Sequence, residues 1–382
     1  MEKKRCLIIF GGKSVEHEVS VITGLQVIEN IDKDKYIPIP LYITKEGEWL
    51  TGDCLKEIKT FKEKNFKKAK NVYLTFNKKE KSQLLIEKNK PLLIDIVFPA
   101  LHGTYGEDGT IQGIFELLNI PYAMAGIGAS TNGMDKVIMK KLFSYHNLPL
   151  VEYKWYYREN LENNIEEKLD EIEKSIGYPA IVKPSNLGSS IGITKAKDRN
   201  QLKSSLEIAM QYDSKIIIER AIENIREINC AVLGYHEDLE VSVCEEPVAY
   251  DSILSFEDKY IRSNSKGKGF SRRIPAQITD EIRKKIEEYA LQSFKAIDCS
   301  GLARIDFILE DNRQIYVNEI NTIPGSIAFY LWQPKGISFT DLISRILEIA
   351  EKIYKEKKKN IYNFDADLFN KINKSGFKSL HK

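Results

Sequence analysis

The chain has 382 residues, and at about 150 residues per domain this length predicts two to three domains. Its 57 Lys and Arg against 55 Asp and Glu give a formal net charge of +2, which argues against a dedicated binder of nucleic acid or membrane surfaces. No apolar run approaches the roughly 18 residues of a membrane span, and the apolar stretch after Arg5 is too short for a signal peptide. The cysteines are odd in number and lack CxxC spacing, so we expect a cytoplasmic protein without disulfides or a zinc site.

The first third of the chain alternates strand-like and helix-like segments. Residues 7–10 form a short apolar run stopped by Gly11 and Gly12, which indicates a buried strand. Further patterns predict strands at 36–43 and 93–98, and helices at 19–31 and 110–118. The Lys-rich stretch 55–81 is predicted to be a solvated connection. This alternation predicts a parallel sheet with both faces covered.

The rest of the chain continues these patterns around one long polar stretch. Helical patterns are at 134–146, 161–175, 280–294 and 339–358. Strand patterns are at 179–184, 191–194, 215–219, 228–233, 239–243, 303–309 and 314–320. The stretch 252–273 is rich in Gly, Ser and Lys, and we expect a long mobile loop there. Loops of this length are usually functional or disordered.

Two glycine motifs argue against familiar nucleotide-binding folds. Gly11-Gly12-Lys13-Ser14 resembles the end of a phosphate-binding P-loop, but that motif needs a further glycine where this chain has Leu7. Gly126-Ile127-Gly128 begins a dinucleotide-binding fingerprint, but its third glycine position holds Thr131. A P-loop NTPase and a nicotinamide dehydrogenase are therefore disfavoured.

The clearest chemistry lies on two consecutive predicted strands near the C-terminal end. Arg304 and Asp306 alternate with apolar residues, so they share one face of a strand, and Glu319 and Asn321 likewise share a face. Asp, Glu and Asn side chains together offer oxygen ligands, a set that suits Mg²⁺ and not zinc. The alternative is structural: a buried salt bridge between Arg304 and one of the acids.

Two glycine-rich segments add candidate ligand-binding residues. Lys183 ends a predicted strand just before the turn at 188–192, which can present N–H groups and a cation to an anion. Lys136 opens a predicted helix. His102 follows a strand and begins a glycine-rich segment, at the strand ends where open α/β sheets bind ligands, and it is a candidate to bind a carboxylate. Each lysine taken alone has an ordinary surface role as its alternative, and the histidine a structural one.

With these motifs placed, the sequence resembles the D-alanine–D-alanine ligases of the ATP-grasp superfamily, from Gly11 to about Ala350. The resemblance lies in long motifs that follow one another in the family's order: 11–20, 102–113, 134–136, 183–184, 188–192, 256–260, 304–306 and 318–325. It implies an α/β fold, with α+β character in the C-terminal half, made of three ATP-grasp domains. These are an N-terminal parallel-sheet, substrate-binding domain at 1–130, a central subdomain at 131–225, and a C-terminal domain at 226–382 with the mobile loop at 252–273.

The resemblance also implies an activity. The expected enzyme uses ATP to join two D-alanines into D-alanyl-D-alanine through an acyl phosphate, for peptidoglycan precursor synthesis. Its expected cofactor is Mg²⁺, as two ions that Mn²⁺ can replace, with ATP as co-substrate. The expected assembly is a cytoplasmic homodimer without nucleic-acid or membrane partners.

The residue roles implied by the resemblance follow the matching motifs. The metal ligands are Asp306, Glu319 and Asn321. The ATP-binding residues are Lys136, Lys183 and Lys259 at the phosphates, Glu219 with Ala221 or Ile222 at the adenine, Glu227 at the ribose, and Ser190 and Asn318. The first D-alanine is held by Glu16 through its ammonium group and by His102 through its carboxylate. Arg304 and the N–H of Gly325 form the oxyanion hole, and Glu16, Ser189 and Tyr260 link the domains when the loop closes and excludes water.

Three departures from the family pattern leave alternatives open. Glu219 and Glu227 lie one residue further apart than is common, so the adenine contact falls on either Ala221 or Ile222. The loop after Tyr260 is long and basic. Tyr330, beside Leu331 in the expected second-substrate pocket, replaces a serine that normally helps bind that substrate's carboxylate. D-serine or D-lactate therefore stay open as second substrates, although Tyr260 favours D-alanine, and a catalytically silent nucleotide-binding protein is the rival from another class.

Overall fold

The computed structural model describes residues 2–76, 82–86, 91–248, 271–362 and 364. Its strands form three large sheets and one two-stranded hairpin, and each large sheet takes its strands from one stretch of the chain. In these described ranges no helix combines the length and the apolar character needed to cross a membrane. The five cysteines are all unpaired thiols. The domain boundaries at 130 and 225 stay predictions of the sequence.

The first sheet occupies the N-terminal third, in the order β6-β5-β4-β3-β2-β1-β7. Its strands are β1 (Lys4–Gly11), β2 (Tyr36–Ile43), β3 (Trp49–Thr51), β4 (Lys70–Phe76), β5 (Ser82–Ile86), β6 (Leu92–Leu93) and β7 (Ile96–Pro99), and its helices are α1 (His17–Asn30), α2 (Ile58–Lys62) and α3 (Thr110–Leu117). β1 pairs in parallel with β2 and β7, which confirms the predicted parallel pairing for these three strands at one end of the sheet, whereas the pairs from β2 to β6 are antiparallel.

β1 is a continuous apolar run because both of its faces are covered. Ile8 and Phe10 pack into a core with residues of α1, whereas Leu7 and Ile9 pack into a second core that contains Phe115 of α3. Strands buried on both faces lose the apolar–polar alternation of half-exposed strands. The predicted strand and helix therefore lie where the sequence placed them.

The prediction of a solvated connection at 55–81 was wrong for its described part. This segment contains α2 and β4, and the rings of Phe61 and Phe66 lie 5.1 and 5.3 Å from the ring of Tyr42 on β2. Leu55 is fully buried. The lysines themselves are largely exposed. Because they are so numerous, the sequence pattern gave little weight to the apolar residues between them, which pack against the first sheet.

The second sheet follows in the middle of the chain, in the order β10-β9-β11-β8. Its strands are β8 (Tyr153–Tyr157), β9 (Ala180–Pro184), β10 (Thr194–Ala196) and β11 (Lys215–Arg220). Helices α4 (Ile127–Met134) and α5 (Lys136–Tyr145) precede it in the chain and pack into one core with segments 225–235 and 301–310. Helices α6 (Arg158–Asn163), α7 (Ile165–Ser175) and α8 (Arg199–Tyr212) pack against the sheet itself. All three strand pairs are antiparallel.

The sequence patterns misplaced or missed four elements in this part of the chain. The strand expected at 191–194 begins only at Thr194, because residues 188–193 form a turn. α4, β8 and α8 had no predicted counterpart. β8 is an edge strand whose aromatic residues are only half-buried, so it lacks a clean alternation.

The third sheet lies towards the C-terminal end, in the order β13-β12-β16-β17. Its strands are β12 (Ile225–Tyr235), β13 (Asp238–Val241), β16 (Gly301–Glu310) and β17 (Gln314–Asn321), and the separate hairpin consists of β14 (Glu246–Val248) and β15 (Ser271–Arg273). Helices α9 (Asp280–Ala296) and α10 (Phe339–Lys357) complete the described part. The predicted strands at 303–309 and 314–320 and the last two predicted helices are confirmed.

Candidate active site

The polar face of the third sheet holds the residues that the sequence analysis put first. In the antiparallel pair β16–β17, Arg304 lies opposite Asn321 and Asp306 lies opposite Glu319. Directly opposed residues project to the same face of a sheet. Alternate residues such as Ile305 are fully buried on the other face. The prediction that these four side chains share a face is confirmed.

Arg304 makes a two-point ion pair with Asp306 on this face. Its Nε donates to Oδ1 of Asp306 at 2.6 Å, and its Nη2 donates to Oδ2 at 2.7 Å. Nδ2 of Asn321 donates to Asp306 Oδ2 at 3.1 Å. Burial would lower the pKa of Arg304, but the neighbouring Asp306 outweighs burial and raises this pKa well above its ordinary value. The salt bridge considered as the structural alternative is thus present, and it lies inside the oxygen-ligand set.

An irregularity in β17 brings two adjacent side chains to the same site. The register shifts between Asp306 and Phe307, so that Phe307 lies opposite Val317 and Asn318 is the extra residue of a bulge. Nζ of Lys183 lies 3.4 Å from Oδ1 of Asn318, and Nζ of Lys136 lies 3.7 Å from Oε2 of Glu319. A regular strand would send Asn318 and Glu319 to opposite faces.

Glu219, at the end of β11, holds two lysines in a buried cluster. Lys183 donates to its Oε2 at 2.6 Å, and Nζ of Lys140 lies 2.9 Å from its Oε1. Burial would raise the pKa of Glu219, but the charges of Lys140 and Lys183 outweigh it and lower this pKa to about 2. Burial lowers the pKa of Lys140 despite Glu219, whereas Glu219 outweighs burial and raises the pKa of Lys183. Sequence reasoning missed Lys140, since a lysine one helical turn after Lys136 carries no motif.

The segment Met134-Asp135-Lys136 is explained by the start of α5. Asp135 caps this helix by accepting from the N–H groups of Val137 and Ile138, and it also accepts from Ser185 Oγ at 2.9 Å and from Lys215 Nζ. Such a cap fixes the direction in which the helix starts. Lys136 Nζ donates to the carbonyl of Leu187 at 2.7 Å, just before the glycine–serine turn. Lys136 therefore lies between the turn and Glu319.

The turn after β9 meets the loop after β1. Ser189 and Ser190 have φ of 55° and 60°, in the left-handed region. Ser189 Oγ donates to a carboxylate oxygen of Glu16. A Cβ added to Gly188 would lie 2.7 Å from Oε2 of Glu16, and one added to Gly103 would lie 2.5 Å from it. Both glycines are thus required for the close approach of Glu16.

His102 is buried and Glu107 is half-buried where the first sheet meets the segment after β17. Nε2 of His102 lies 2.8 Å from Oγ1 of Thr23, which accepts from the N–H of Ser326 at 3.1 Å. Burial lowers the pKa of His102 to about 4. Glu107 accepts from the N–H groups of Gly103 and Ile323, both at 2.9 Å. Burial, with the charge of Glu16, raises the pKa of Glu107 to about 8.

A left-handed turn follows β17 and carries the remaining candidates. Gly325 opens it, and Ser326, Ile327 and Ala328 have φ of 51°, 54° and 46°. Residues other than glycine rarely adopt this backbone conformation, and a β-branched residue such as Ile327 does so only where its surroundings enforce it. The Leu331 side chain lies in the hydrophobic core rather than in the site. Tyr330 instead donates to Oε1 of Glu245 at 3.1 Å.

Two observations concern the segment that the sequence predicts to contact adenine. The N–H of Ala221 donates to the carbonyl of Pro179 at 2.9 Å, so it is engaged within the protein. Asn224, between Glu219 and Glu227, has φ of 52°. Asn tolerates this conformation better than other non-glycine residues. Lys259 and Tyr260, both predicted site residues, and most of the predicted loop 252–273 lie outside the described residues.

The oxygen ligands fit a magnesium ion by their chemistry. Asp306 and Glu319 offer carboxylates, and the Oδ1 of Asn321 is available to a cation when Nδ2 donates to Asp306. Among the residues with described positions, no three His, Cys, Asp or Glu side chains cluster to hold a metal. Two carboxylates completed by substrate phosphates are a usual arrangement for Mg²⁺.

Comparisons with known proteins give one family along the chain. Residues 5–125 match the family model described as D-ala D-ala ligase N-terminus, and residues 142–348 match D-ala D-ala ligase C-terminus. A curated protein from Thermosipho melanesiensis named D-alanine–D-alanine ligase is 43% identical over 94% of this chain and 97% of its own length. One of the same name from Thermosipho africanus is 41% identical over 95% of this chain and 97% of its own length.

Solved structures of similar proteins agree in fold. The D-alanine–D-alanine ligase from Coxiella burnetii has a TM-score of 0.80 and 26% identity, covering 94% of this chain and 97% of that one. The VanG D-Ala:D-Ser ligase from Enterococcus faecalis has a TM-score of 0.79 and 33% identity, covering 91% and 100%. The D-alanine–D-alanine ligase from Bacillus anthracis, solved with ATP, has a TM-score of 0.66 and 27% identity, covering 93% and 99%. The predicted α/β fold class is confirmed.

Proposed function

This chain belongs to the D-alanine–D-alanine ligase family, and we propose that it joins two D-alanines with ATP through the residues placed above. It has the ATP-grasp fold of that family and is an ATP-dependent ligase. A carboxylate is a poor electrophile, so the first D-alanine has to be activated before an amine can attack it. Phosphoryl transfer from ATP to one carboxylate oxygen gives an acyl phosphate and ADP.

ATP is held by the crevice between the second and third sheets. Glu219 accepts a hydrogen bond from the adenine amino group, and Glu227 binds the ribose. Of the two adenine-contact candidates we choose Ile222, because the N–H of Ala221 already donates to Pro179. Lys136 and Lys183, with Lys259, bind the phosphates, assisted by Ser190 and Asn318. Catalysis of phosphoryl transfer consists largely of such positioning and charge stabilisation.

Asp306, Glu319 and Asn321 would hold the two Mg²⁺ ions, for which Mn²⁺ can substitute. When bound, these ions neutralise charge on the phosphates. Asp306 exchanges its contact with Arg304 for this role, which frees the guanidinium to face the reacting acyl group. The lysines, which lie beside the metal ligands, therefore act on the same phosphates.

The first D-alanine lies between the first sheet and the left-handed turn. Glu16 binds its ammonium group and is oriented by Ser189, and His102 binds its carboxylate. The amine of the second D-alanine attacks the acyl carbon, and a tetrahedral intermediate forms. Arg304 and the N–H of Gly325 stabilise the negative oxygen of that intermediate. Phosphate leaves, a proton passes to solvent, and D-alanyl-D-alanine remains.

One observation carries this proposal: Arg304 and Asp306 face Asn321 and Glu319 on a single sheet face, with Lys136 and Lys183 beside them. The test is phosphate release by purified protein with ATP, Mg²⁺ and D-alanine, compared with the same mixture without D-alanine. Product mass identifies the dipeptide. Absence of D-alanine-dependent phosphate release would refute the activity. Asp306→Ala, Glu319→Ala and Lys183→Ala are expected to abolish turnover in folded protein, and wild-type rates in all three would refute the site.

The alternatives concern the second substrate. D-serine or D-lactate in place of the second D-alanine is not favoured, since the curated relatives described above are named D-alanine–D-alanine ligases. The identity of the second substrate still has to be measured, because Tyr330 occupies the place of the serine that normally helps bind its carboxylate. A panel of second substrates with product mass as readout decides it.

A catalytically silent protein is disfavoured because a binding module needs no metal ligands beside an oxyanion donor.

The setting follows from the same family. We propose a cytoplasmic homodimer that supplies peptidoglycan precursor synthesis, without a nucleic-acid or membrane partner. Light scattering of the purified protein at several concentrations measures the assembly. A monomer at all concentrations would contradict the homodimer and leave the activity untouched.

A further inference from the structure

The metal-ligand face of the third sheet continues past the residues used above. Asn229 on β12 lies opposite Asp306, and it also exchanges two backbone hydrogen bonds of 2.9 Å with Glu245. Glu245, Asn229, Asp306 and Glu319 therefore form one row across neighbouring chain segments. At about 4.8 Å between strands, Glu245 lies roughly 10 Å from Asp306. The row places Glu245 next to the reaction centre.

The carboxylate of Glu245 is buried and hydrogen-bonded. Only 2% of this residue is exposed. Its Oε1 accepts from Tyr330 Oη at 3.1 Å and from Asn229 Nδ2 at 3.0 Å, and its Oε2 lies 3.4 Å from Nη1 of Arg272. The guanidinium carbon of Arg272 lies 4.0 Å from the ring centre of Tyr330. Glu245 thus holds a phenol and a guanidinium stacked together.

The hairpin β14–β15 points neighbouring arginines to opposite sides. Arg273 Nη1 lies 3.2 Å from Oε2 of Glu246, which also accepts from Arg226 at 2.7 and 2.8 Å. Glu246 and Arg273 are opposed in the hairpin register. Successive strand residues face opposite ways, so Arg272 faces Tyr330 and the catalytic row, whereas Arg273 faces away from it.

The stacked arginine matches a need of the reaction. A guanidinium that stacks on an aromatic ring contacts the ring through its flat face. Its N–H groups point outward in the plane of the guanidinium, where two of them can donate to the two oxygens of a carboxylate. Arg304 pairs with Asp306 in this structure and, by the proposed function, turns to the reacting acyl group during the reaction, so it is committed elsewhere. A second guanidinium beside Tyr330 is therefore the cation placed to bind the acceptor's carboxylate.

We propose that Arg272, stacked on Tyr330 and held by Glu245, binds the carboxylate of the attacking amino acid and so gives an acceptor that carries a carboxylate its affinity for the site. This assignment rests on the proposed function, since it concerns the second substrate of the same reaction.

The test compares two acceptors in the full-length enzyme. D-alanine carries a carboxylate, and hydroxylamine does not. Hydroxylamine nitrogen attacks the acyl phosphate, a C–N bond forms, the C–O bond to phosphate breaks, and phosphate and a proton leave, which yields D-alanine hydroxamate. In Arg272→Ala we expect the KM of the second D-alanine to rise about 10- to 100-fold, the loss of a charge-assisted contact, while hydroxamate formation stays within about twofold of wild type.

Matched variants complete the test. Arg273→Ala, the adjacent arginine on the other side of the hairpin, should leave both reactions unchanged. Arg272→Lys should recover part of the D-alanine affinity, because it keeps the charge without the planar fork. If Arg272→Ala loses its melting transition, Arg272→Gln carries the same comparison. An unmoved second KM, or an equal loss with both acceptors, overturns the assignment alone. Wild-type enzyme that makes neither product overturns the proposed function and this assignment with it.

Discussion

Lys140 shows how a single residue can support a site without touching solvent. It is 1% exposed and pairs with Oε1 of Glu219, whereas Lys183 contacts Oε2. Lys183 shares Glu219 with it in this structure, and we propose that Lys183 turns to phosphate when ATP binds. Lys140 then remains as the counter-charge that keeps Glu219 ionised and able to accept from adenine.

We expect Lys140→Met to lower the free energy of unfolding by about 3 kcal/mol, because it leaves a buried carboxylate with one cation instead of two. The KM for ATP should rise as well. Chemical denaturation and ATP titration of initial rates measure the two effects. Lys141→Met is the control, since Lys141 is exposed and contacts only the Trp155 ring, at 4.3 Å, among the contacts described. The double variant Lys140→Met with Glu219→Gln should recover stability, and a single variant no weaker than the control would contradict this reading.

Glu107 predicts a pH dependence of stability. Its pKa is about 8 in the folded protein against an ordinary 4.5, so between these values the folded state holds a proton that the unfolded state releases. The contribution of Glu107 is fully present below pH 4.5 and is lost as pH rises through 8. Glu107→Gln, which keeps the shape of the protonated form, should flatten the fall of Tm between pH 5 and about pH 8. Parallel Tm curves for variant and wild type would contradict the shift.

At the scale of elements, the glycine–serine turn after β9 has no room for a larger side chain at Gly188. A Cβ on Gly188 would lie 2.7 Å from a Glu16 oxygen. We expect Gly188→Ala to displace Glu16 and reduce kcat/KM for the first D-alanine about tenfold or more, since small misplacements of a positioning group cost that much.

The control for this substitution is a glycine with open space around it. Gly128, inside α4, has no atom within 4 Å of an added Cβ. Gly128→Ala should leave the rate unchanged and stabilise the protein by about 0.5–1 kcal/mol, the helix preference for alanine. Full activity in Gly188→Ala would show that Glu16 has more freedom than the geometry allows.

Elements with a strong local period were predictable, and those defined by distant partners were not. The alternation in β16 and β17 located the metal-ligand face, because each strand has one buried and one open face. The bulge at Asn318 and the left-handed turn at 326–328 depend on packing against other segments, which no local pattern encodes. Lys140, Glu245 and Arg272 were missed for the same reason, since each contacts a residue far along the chain. Glu219 is 79 residues from Lys140, and Tyr330 is 85 residues from Glu245 and 58 from Arg272. Only the folded sheets create these contacts.

At the scale of the whole molecule, the proposed nucleotide site takes residues from two sheets, so ligand binding should stabilise the fold. ATP with Mg²⁺ at 100 times its Kd adds about 2.7 kcal/mol to the free energy of unfolding. We expect a rise in Tm with ATP and Mg²⁺, and a much smaller rise when EDTA removes the metal. Glu319→Ala should lose the metal-dependent part. An equal shift with and without EDTA would contradict the metal assignment.

The ion pair between Arg304 and Asp306 has a consequence for the order of events. At 2.6 and 2.7 Å the guanidinium contacts both oxygens of Asp306, which we propose as a metal ligand. A divalent cation that binds alone would have to displace Arg304, whereas a cation that binds together with a nucleotide brings phosphates to which the arginine is attracted. We therefore expect the pair to reduce carboxylate repulsion in the resting protein and to favour the metal–nucleotide complex over its separate parts.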